Sequence, residues 1–223
     1  MRTTSFPRRA LIAGAAAAVL ATGAGSAAAA PHATAARTGA AGPAVAASAT
    51  APASPAARAT ASASGQLRTL VALAAERLAT ADPVAAAKWG TGSPIDDPAR
   101  EQQVLTDVAA QARALGADPA VTVRVFRDQI EASKLVQRGL HRRWAADPAQ
   151  APATRPDLAR VRAEINRING ALVRALAAAP RARTAPGCAP RVAADALRVS
   201  HRRRWDVLHT AGLARSLRSV CGG

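Results

Sequence analysis

Arg77 and Lys88 stand 11 residues apart. That is close to three whole turns of an α-helix, so on one continuous helix they share a face roughly 16 Å apart along the axis. Arg100 and Glu101 open a later helical stretch, with Asp97 just ahead of them, and Ser133 and Gln137 form an i, i+4 pair on a third. Arg162 lies on a fourth. Long cationic side chains that converge from separate helices need an anion between them, because buried charges of one sign without a partner are too costly. Fixed cations and hydrogen-bond donors of this kind act by orienting a ligand and by stabilising charge that develops on it. The set contains neither His nor Cys.

The elements that must position these groups read as helices. Asp-Pro occurs at 82–83, 97–98, 118–119 and 147–148, and Pro156 precedes Asp157. Asp is a good N-cap and Pro a good first helical residue. The segments between are rich in Ala, Leu, Arg, Gln and Glu, which favour helix, and none shows sustained alternation of β-branched residues. The first helix is expected from about Gln66, with Leu67, Leu70, Val71, Ala74 and Leu78 inward. It bends at Asp82-Pro83 and continues to Trp89, which keeps Lys88 on the face of Arg77. Gly90–Asp96 is a loop, Pro98–Leu115 a second helix stopped by Gly116, and Pro119–Ala145 a third with Val121, Val125, Ile130, Leu135 and Val136 inward. After a Pro-rich loop, Leu158–Ala179 forms a fourth helix, and Val192–Val220 a last helix or helix pair. The fold class is all-α.

The start of the chain reads differently. Residues 1–30 have a basic beginning, an apolar run and a small-residue end, the pattern of an export signal. Arg8-Arg9 leaves a twin-arginine route open. Residues 31–64 are mostly Ala, Pro, Ser, Thr and Gly, with two arginines, no acids and no large apolar groups, and are expected to be a disordered lead-in. One domain is therefore expected over 65–223, with no membrane attachment once the signal is removed. It holds all 14 acids and 25 of the 30 Lys and Arg residues. Nucleic acid is the obvious partner for such a basic chain. Against it, the aromatic residues of this part are only Trp89, Phe126, Trp144 and Trp205, too few for a stacking platform, and the basic residues are spread over every helix. His141-Arg142-Arg143 and His201-Arg202-Arg203-Arg204 read as solvated faces. Two cysteines, Cys188 and Cys221, in an exported chain argue for a disulfide, worth about 3–4 kcal/mol for the loop it closes. Two isolated thiols lack the spacing of a zinc site, so no metal is expected.

The stretches 75–105 and 125–138 together resemble the all-helical class of chorismate mutases. The cysteine pair and the signal are similar to those of its secreted, monofunctional subclass. The resemblance runs over about 66–221. It implies a cofactor-free isomerase that converts chorismate to prephenate by a one-step pericyclic shift, and a homodimer whose sites are built mainly within one chain. It implies that Arg77 binds a substrate carboxylate, that Lys88 contacts the ether oxygen and a carboxylate, and that Arg100 is a further substrate cation. Glu101, helped by Asp97, would accept from the ring hydroxyl, Ser133 would meet the ring carboxylate, and Gln137 would donate to the ether oxygen. Arg162 would supply a cation that cytoplasmic members borrow from a partner subunit. The resemblance also implies a Cys188–Cys221 disulfide. Some members carry Glu where this chain has Gln137, and a Glu must be protonated to donate, whereas Gln donates at any pH.

Taken singly, each of these residues has a plainer role. Asp97 is an N-cap, Arg77 a surface arginine, and Glu101 a first-turn partner of the helix dipole. Their joint spacing carries the functional reading. The alternative is a non-enzymatic basic helical module that binds nucleic acid or an anionic cell-surface polymer, with affinity falling steeply as salt rises.

Overall fold

A computed structural model describes residues 55–222, all as helices and connections. The signal and most of the lead-in expected over residues 1–54 lie outside the described residues. The helices are α1 (Pro55–Ala79), α2 (Ala81–Lys88), α3 (Pro98–Ala114), α4 (Pro119–Ala146), α5 (Leu158–Ala178), α6 (Pro180–Thr184), α7 (Cys188–Arg202) and α8 (Val207–Ser216). None is long and apolar enough to cross a membrane.

The Asp-Pro pairs act largely as expected. Asp97 accepts from the Arg100 N–H (3.1 Å) and Asp118 from the Ala120 N–H (2.7 Å), each ahead of a first-turn proline. Asp147 caps a short 3-10 turn, Pro148–Gln150, inside the loop expected there, and Asp157 caps α5. Gly116 ends α3 with φ +68, and the Ala117 N–H returns to the Ala112 carbonyl (2.9 Å). This is the Schellman arrangement, in which glycine is usual. Arg204 does the same after α7 at φ +52, with the Trp205 N–H on the Ser200 carbonyl (3.0 Å).

Three boundaries differ from expectation. Helix α1 starts at Pro55, so residues 55–64, expected to be disordered, are helical; Ala and Arg are strong helix formers, and a preformed helix extends at small cost per residue. The first helical stretch breaks at Thr80 instead of bending at Asp82-Pro83. Pro83 lacks an N–H and its ring collides with the carbonyl four residues back, that of Ala79, so the disruption falls there. Thr80 Oγ1 closes the break by donating to the Arg77 carbonyl (2.7 Å). Helix α7 starts at Cys188, ahead of Val192, because Pro190 falls in its first turn, where a missing N–H costs nothing.

The long α4 is the spine. It packs against α2, α3 and α8, while α1 packs against α5 and α7. The core joins Leu67, Leu70, Val71 and Leu78 of α1 to Val125, Phe126, Val136 and Leu140 of α4 and Leu172, Val173 and Leu176 of α5. Helices α4 and α8 approach closely at two glycines. A Cβ on Gly139 would meet Leu208 at 2.5 Å, and one on Gly212 would meet Val136 at 2.8 Å. Cys188 and Cys221 are bonded (S–S 2.02 Å), tying the start of α7 to the chain end. Arg183 clamps the same end, with Nε donating to the Val220 carbonyl (2.8 Å).

Candidate active site

One cleft, of about 670 Å³ with its mouth included, lies between α1, α2, α3, α4 and α5. Arg77, Lys88, Asp97, Arg100, Glu101, Ser133, Gln137 and Arg162 all line it. The eight residues singled out from the sequence are therefore brought together. The geometry that unites Arg77 with Lys88 is not the three-turn count, however. The break at Thr80 puts them on different helices, α1 and α2, which fold around the same space.

Arg77 is 6% exposed and makes no ion pair among the described residues. Its Nε donates to Asn169 Oδ1 (2.8 Å) and its Nη1 to the Gln129 carbonyl (3.1 Å). The guanidinium also sits 5.8 Å from the centre of the Phe126 ring. Burial lowers its pKa to about 10, so it stays charged at neutral pH. A fully desolvated cation with neutral partners only is costly, and an anionic ligand relieves that cost.

Lys88 ends α2. Its Nζ donates to the Pro94 carbonyl (2.9 Å) and the Ile95 carbonyl (3.1 Å) of the following loop. An ammonium has three N–H bonds, so one remains for a ligand. Burial pushes its pKa down, and the Asp97 carboxylate works against that. Trp89, next along, fixes the end of α2 on α4: its ring meets those of His141 (5.1 Å) and Trp144 (5.5 Å) edge-on. A nitrogen of His141 also bonds the Ala85 carbonyl (3.0 Å). The tryptophans at 89 and 144 thus pack the site's frame.

Arg100 is steadied by Asn166, which accepts from its Nη2 (3.0 Å). Glu101 Oε2 receives the Lys134 ammonium (3.1 Å). Gln137 is buried; its Nε2 donates to Ser133 Oγ (3.1 Å), and its Oε1 has no partner. With the amide in either orientation, at least one N–H is left for a ligand acceptor. Arg162 stands exposed at the rim. Apolar walls come from Val84, Ile95, Val104, Ile130, Leu158 and Ile165. Lys134, Asn166 and Asn169 were not singled out from the sequence. Lys134 directly follows Ser133 on a helix already tied to the cleft, and that adjacency is the one signal that pointed to it.

A dicarboxylate with an internal acceptor oxygen suits this arrangement: cations approach from α1, α2, α3 and α5, and neutral donors from α4. The family model described as chorismate mutase type II matches residues 68–138. A secreted chorismate mutase from Mycolicibacterium smegmatis is 38% identical over 152 residues, 68% of this chain and 84% of that protein. Another, from Mycobacterium tuberculosis, is 35% identical over 158 residues, 71% of this chain and 79% of its own length. The crystal structure of chorismate mutase from Burkholderia thailandensis superposes with a TM-score of 0.67 at 41% identity, over 70% of this chain and 99% of that one.

Proposed function

The chain belongs to the chorismate mutase family, as an all-helical member of the type II class that isomerises chorismate to prephenate, and on that premise we propose which groups of the cleft carry the reaction. The rearrangement breaks the ether C–O bond and forms a C–C bond in one step. It needs no nucleophile and no proton transfer. The protein has to hold the compact, chair-like conformer and to stabilise negative charge growing on the ether oxygen.

Arg77 takes one carboxylate with the N–H bonds that Asn169 and Gln129 leave free. Arg100 and Arg162 supply further positive charge, and the Ser133 hydroxyl donates to the ring carboxylate. Glu101 accepts from the ring hydroxyl beside Asp97, whose main task is to cap α3. Lys88 and Gln137 approach the ether oxygen from α2 and α4, and their donation strengthens as charge develops there. The observation that carries this assignment is the convergence of Arg77, Lys88, Arg100 and Arg162 on one cleft with a buried, part-free amide at Gln137.

The assignment divides the residues by kinetic effect. Alanine at Arg77, Arg100 or Arg162 raises KM most, since these hold the ground state as well as the transition state. Alanine at Lys88 or leucine at Gln137 lowers kcat most, by about 100-fold to 1000-fold, as expected for a lost transition-state donor. Steady-state kinetics on chorismate with the five variants tests this, and uniform effects on KM alone would overturn it.

The named relatives are secreted proteins. Residues 1–30 accordingly serve as a cleaved export signal, with the twin-arginine route open, and the released protein forms a homodimer. The warrants are the pattern of the signal and family membership. Size-exclusion chromatography and amino-terminal sequencing of exported protein test both.

A further inference from the structure

Two groups of the proposed site, Glu101 and Lys88, depend on a third that the family pattern does not assign. Lys134 lies on α4 with its side chain only 12% exposed. Its Nζ stands 3.1 Å from Glu101 Oε2, 3.3 Å from Asp96 Oδ1 and 2.6 Å from Glu131 Oε1. These acids come from α3, from the loop between α2 and α3, and from α4 itself. Arg138, one turn further along α4, holds Asp96 by both oxygens (2.6 and 2.7 Å). The same loop presents the Pro94 and Ile95 carbonyls that seat the Lys88 ammonium, and Ile95 itself lines the cleft. One ammonium thus connects the acid on α3 to the loop that places the cation on α2.

We propose that Lys134 is a positioning residue for the isomerisation: it fixes Glu101, it anchors through Asp96 the loop that seats Lys88, and it offsets the Glu101 charge beside a dianionic substrate. This rests on the roles given above to Glu101 and Lys88. The offset matters because a bare carboxylate next to a dicarboxylate repels it in a space of low dielectric. Burial opposes the Lys134 charge, but hydrogen bonds to Glu131, Glu101 and Asp96 outweigh it and raise its pKa, so the cation persists across the physiological range. A fully exposed ion pair would have little effect; here the lysine side chain is 12% and Glu101 26% exposed, and both line the cleft.

The three-way contact predicts a split that a merely structural lysine would not produce. Lys134→Ala leaves Glu101 and Glu131 without their shared cation and Asp96 held by Arg138 alone. It therefore raises KM through repulsion and lowers kcat through a displaced Lys88, for a loss of about tenfold or more in kcat/KM. Added salt shrinks the KM part, because it screens like charges. Lys134→Arg keeps the charge and recovers most of the loss. Asp96→Asn, at a site 53% exposed where folding is not at stake, releases the loop and lowers kcat with little change in KM.

Kinetics on chorismate for these three variants, beside Lys88→Ala and with circular dichroism to confirm folding, tests the inference. Losses in Lys134→Ala and Asp96→Asn with recovery in Lys134→Arg support it. Folded Lys134→Ala and Asp96→Asn variants within about twofold of wild type would overturn it, even where Lys88→Ala is inactive. Full activity of Lys88→Ala would overturn the site assignment itself, and this inference with it.

Discussion

His209 ties three helices together through its charge, and the tie has a pH at which it fails. Its side chain is buried at 8% exposure on α8. Its Nε2 meets Asp82 Oδ1 of α2 at 2.9 Å and its Nδ1 meets Asp206 Oδ1 at 2.6 Å. Asp206 is also held by Arg143 of α4 (2.8 Å). Both ring nitrogens face carboxylates, so both carry protons. The hydrogen bond to Asp82 is the largest cause of a pKa raised from 6.5 to about 9, against the effect of burial. A shift of that size corresponds to about 3 kcal/mol at 1.36 kcal/mol per unit. Asp82 is half open to water (52% exposed), and solvent screening reduces the figure to about 1–2 kcal/mol. The folded form binds the proton more tightly, so the contribution is complete below pH 6.5 and disappears as pH rises through about 9. Urea denaturation from pH 6 to 9.5 should show wild-type stability falling by that amount. His209→Gln, which keeps size and hydrogen bonding but not charge, should be less stable at pH 6 and should lose most of the slope. A wild-type protein whose stability does not change between pH 6.5 and 9, or a His209→Gln variant with the same slope, would refute the reasoning.

Other consequences follow from single features. Gln137 donates whatever the pH, so kcat should stay nearly flat from mildly acidic to mildly alkaline solution, and Gln137→Glu should bring a fall of about tenfold per pH unit above the pKa of the new carboxyl; a wild-type rate that collapses above neutrality would contradict this. Replacing Cys188 and Cys221 by Ser should cost about 2–4 kcal/mol in thermal or urea unfolding, because the bond closes a separation of 33 residues, while kcat of the folded fraction at low temperature should hold, since neither cysteine lines the cleft. Arg204→Gly should stabilise the protein by up to about 1 kcal/mol, because φ +52 disfavours a residue with a Cβ; differential scanning calorimetry reads the shift.

The parts of the fold governed by neighbours in sequence were legible. Asp97, Asp118 and Asp157 cap helices because the cap, the first-turn N–H groups and any following proline lie within a few residues of one another. Gly116 stops α3 for an equally local reason. Pro83 shows where local reasoning goes astray. The rule that a proline disrupts a helix was correct, but its clash acts four residues back, so the break fell at Thr80 and separated Arg77 from Lys88. The set of cleft residues was readable through resemblance and joint spacing, although the distance argument for Arg77 and Lys88 was not the true geometry. What stayed hidden depends on remote partners. Asp82 looked like one more cap and is instead a partner of His209, 127 residues away. Lys134 meets acids on three elements, and no local pattern brings Asp96, Glu101 and Glu131 to one ammonium.

The purified protein, incubated with chorismate beside a folded Lys88→Ala control, provides the most direct measurement. Rapid conversion to prephenate by the wild-type chain, slowed about 100-fold or more in the control, is the expected result. No conversion by a folded, disulfide-bonded protein, or equal rates for both, would contradict the assignment of this cleft as the place where chorismate rearranges.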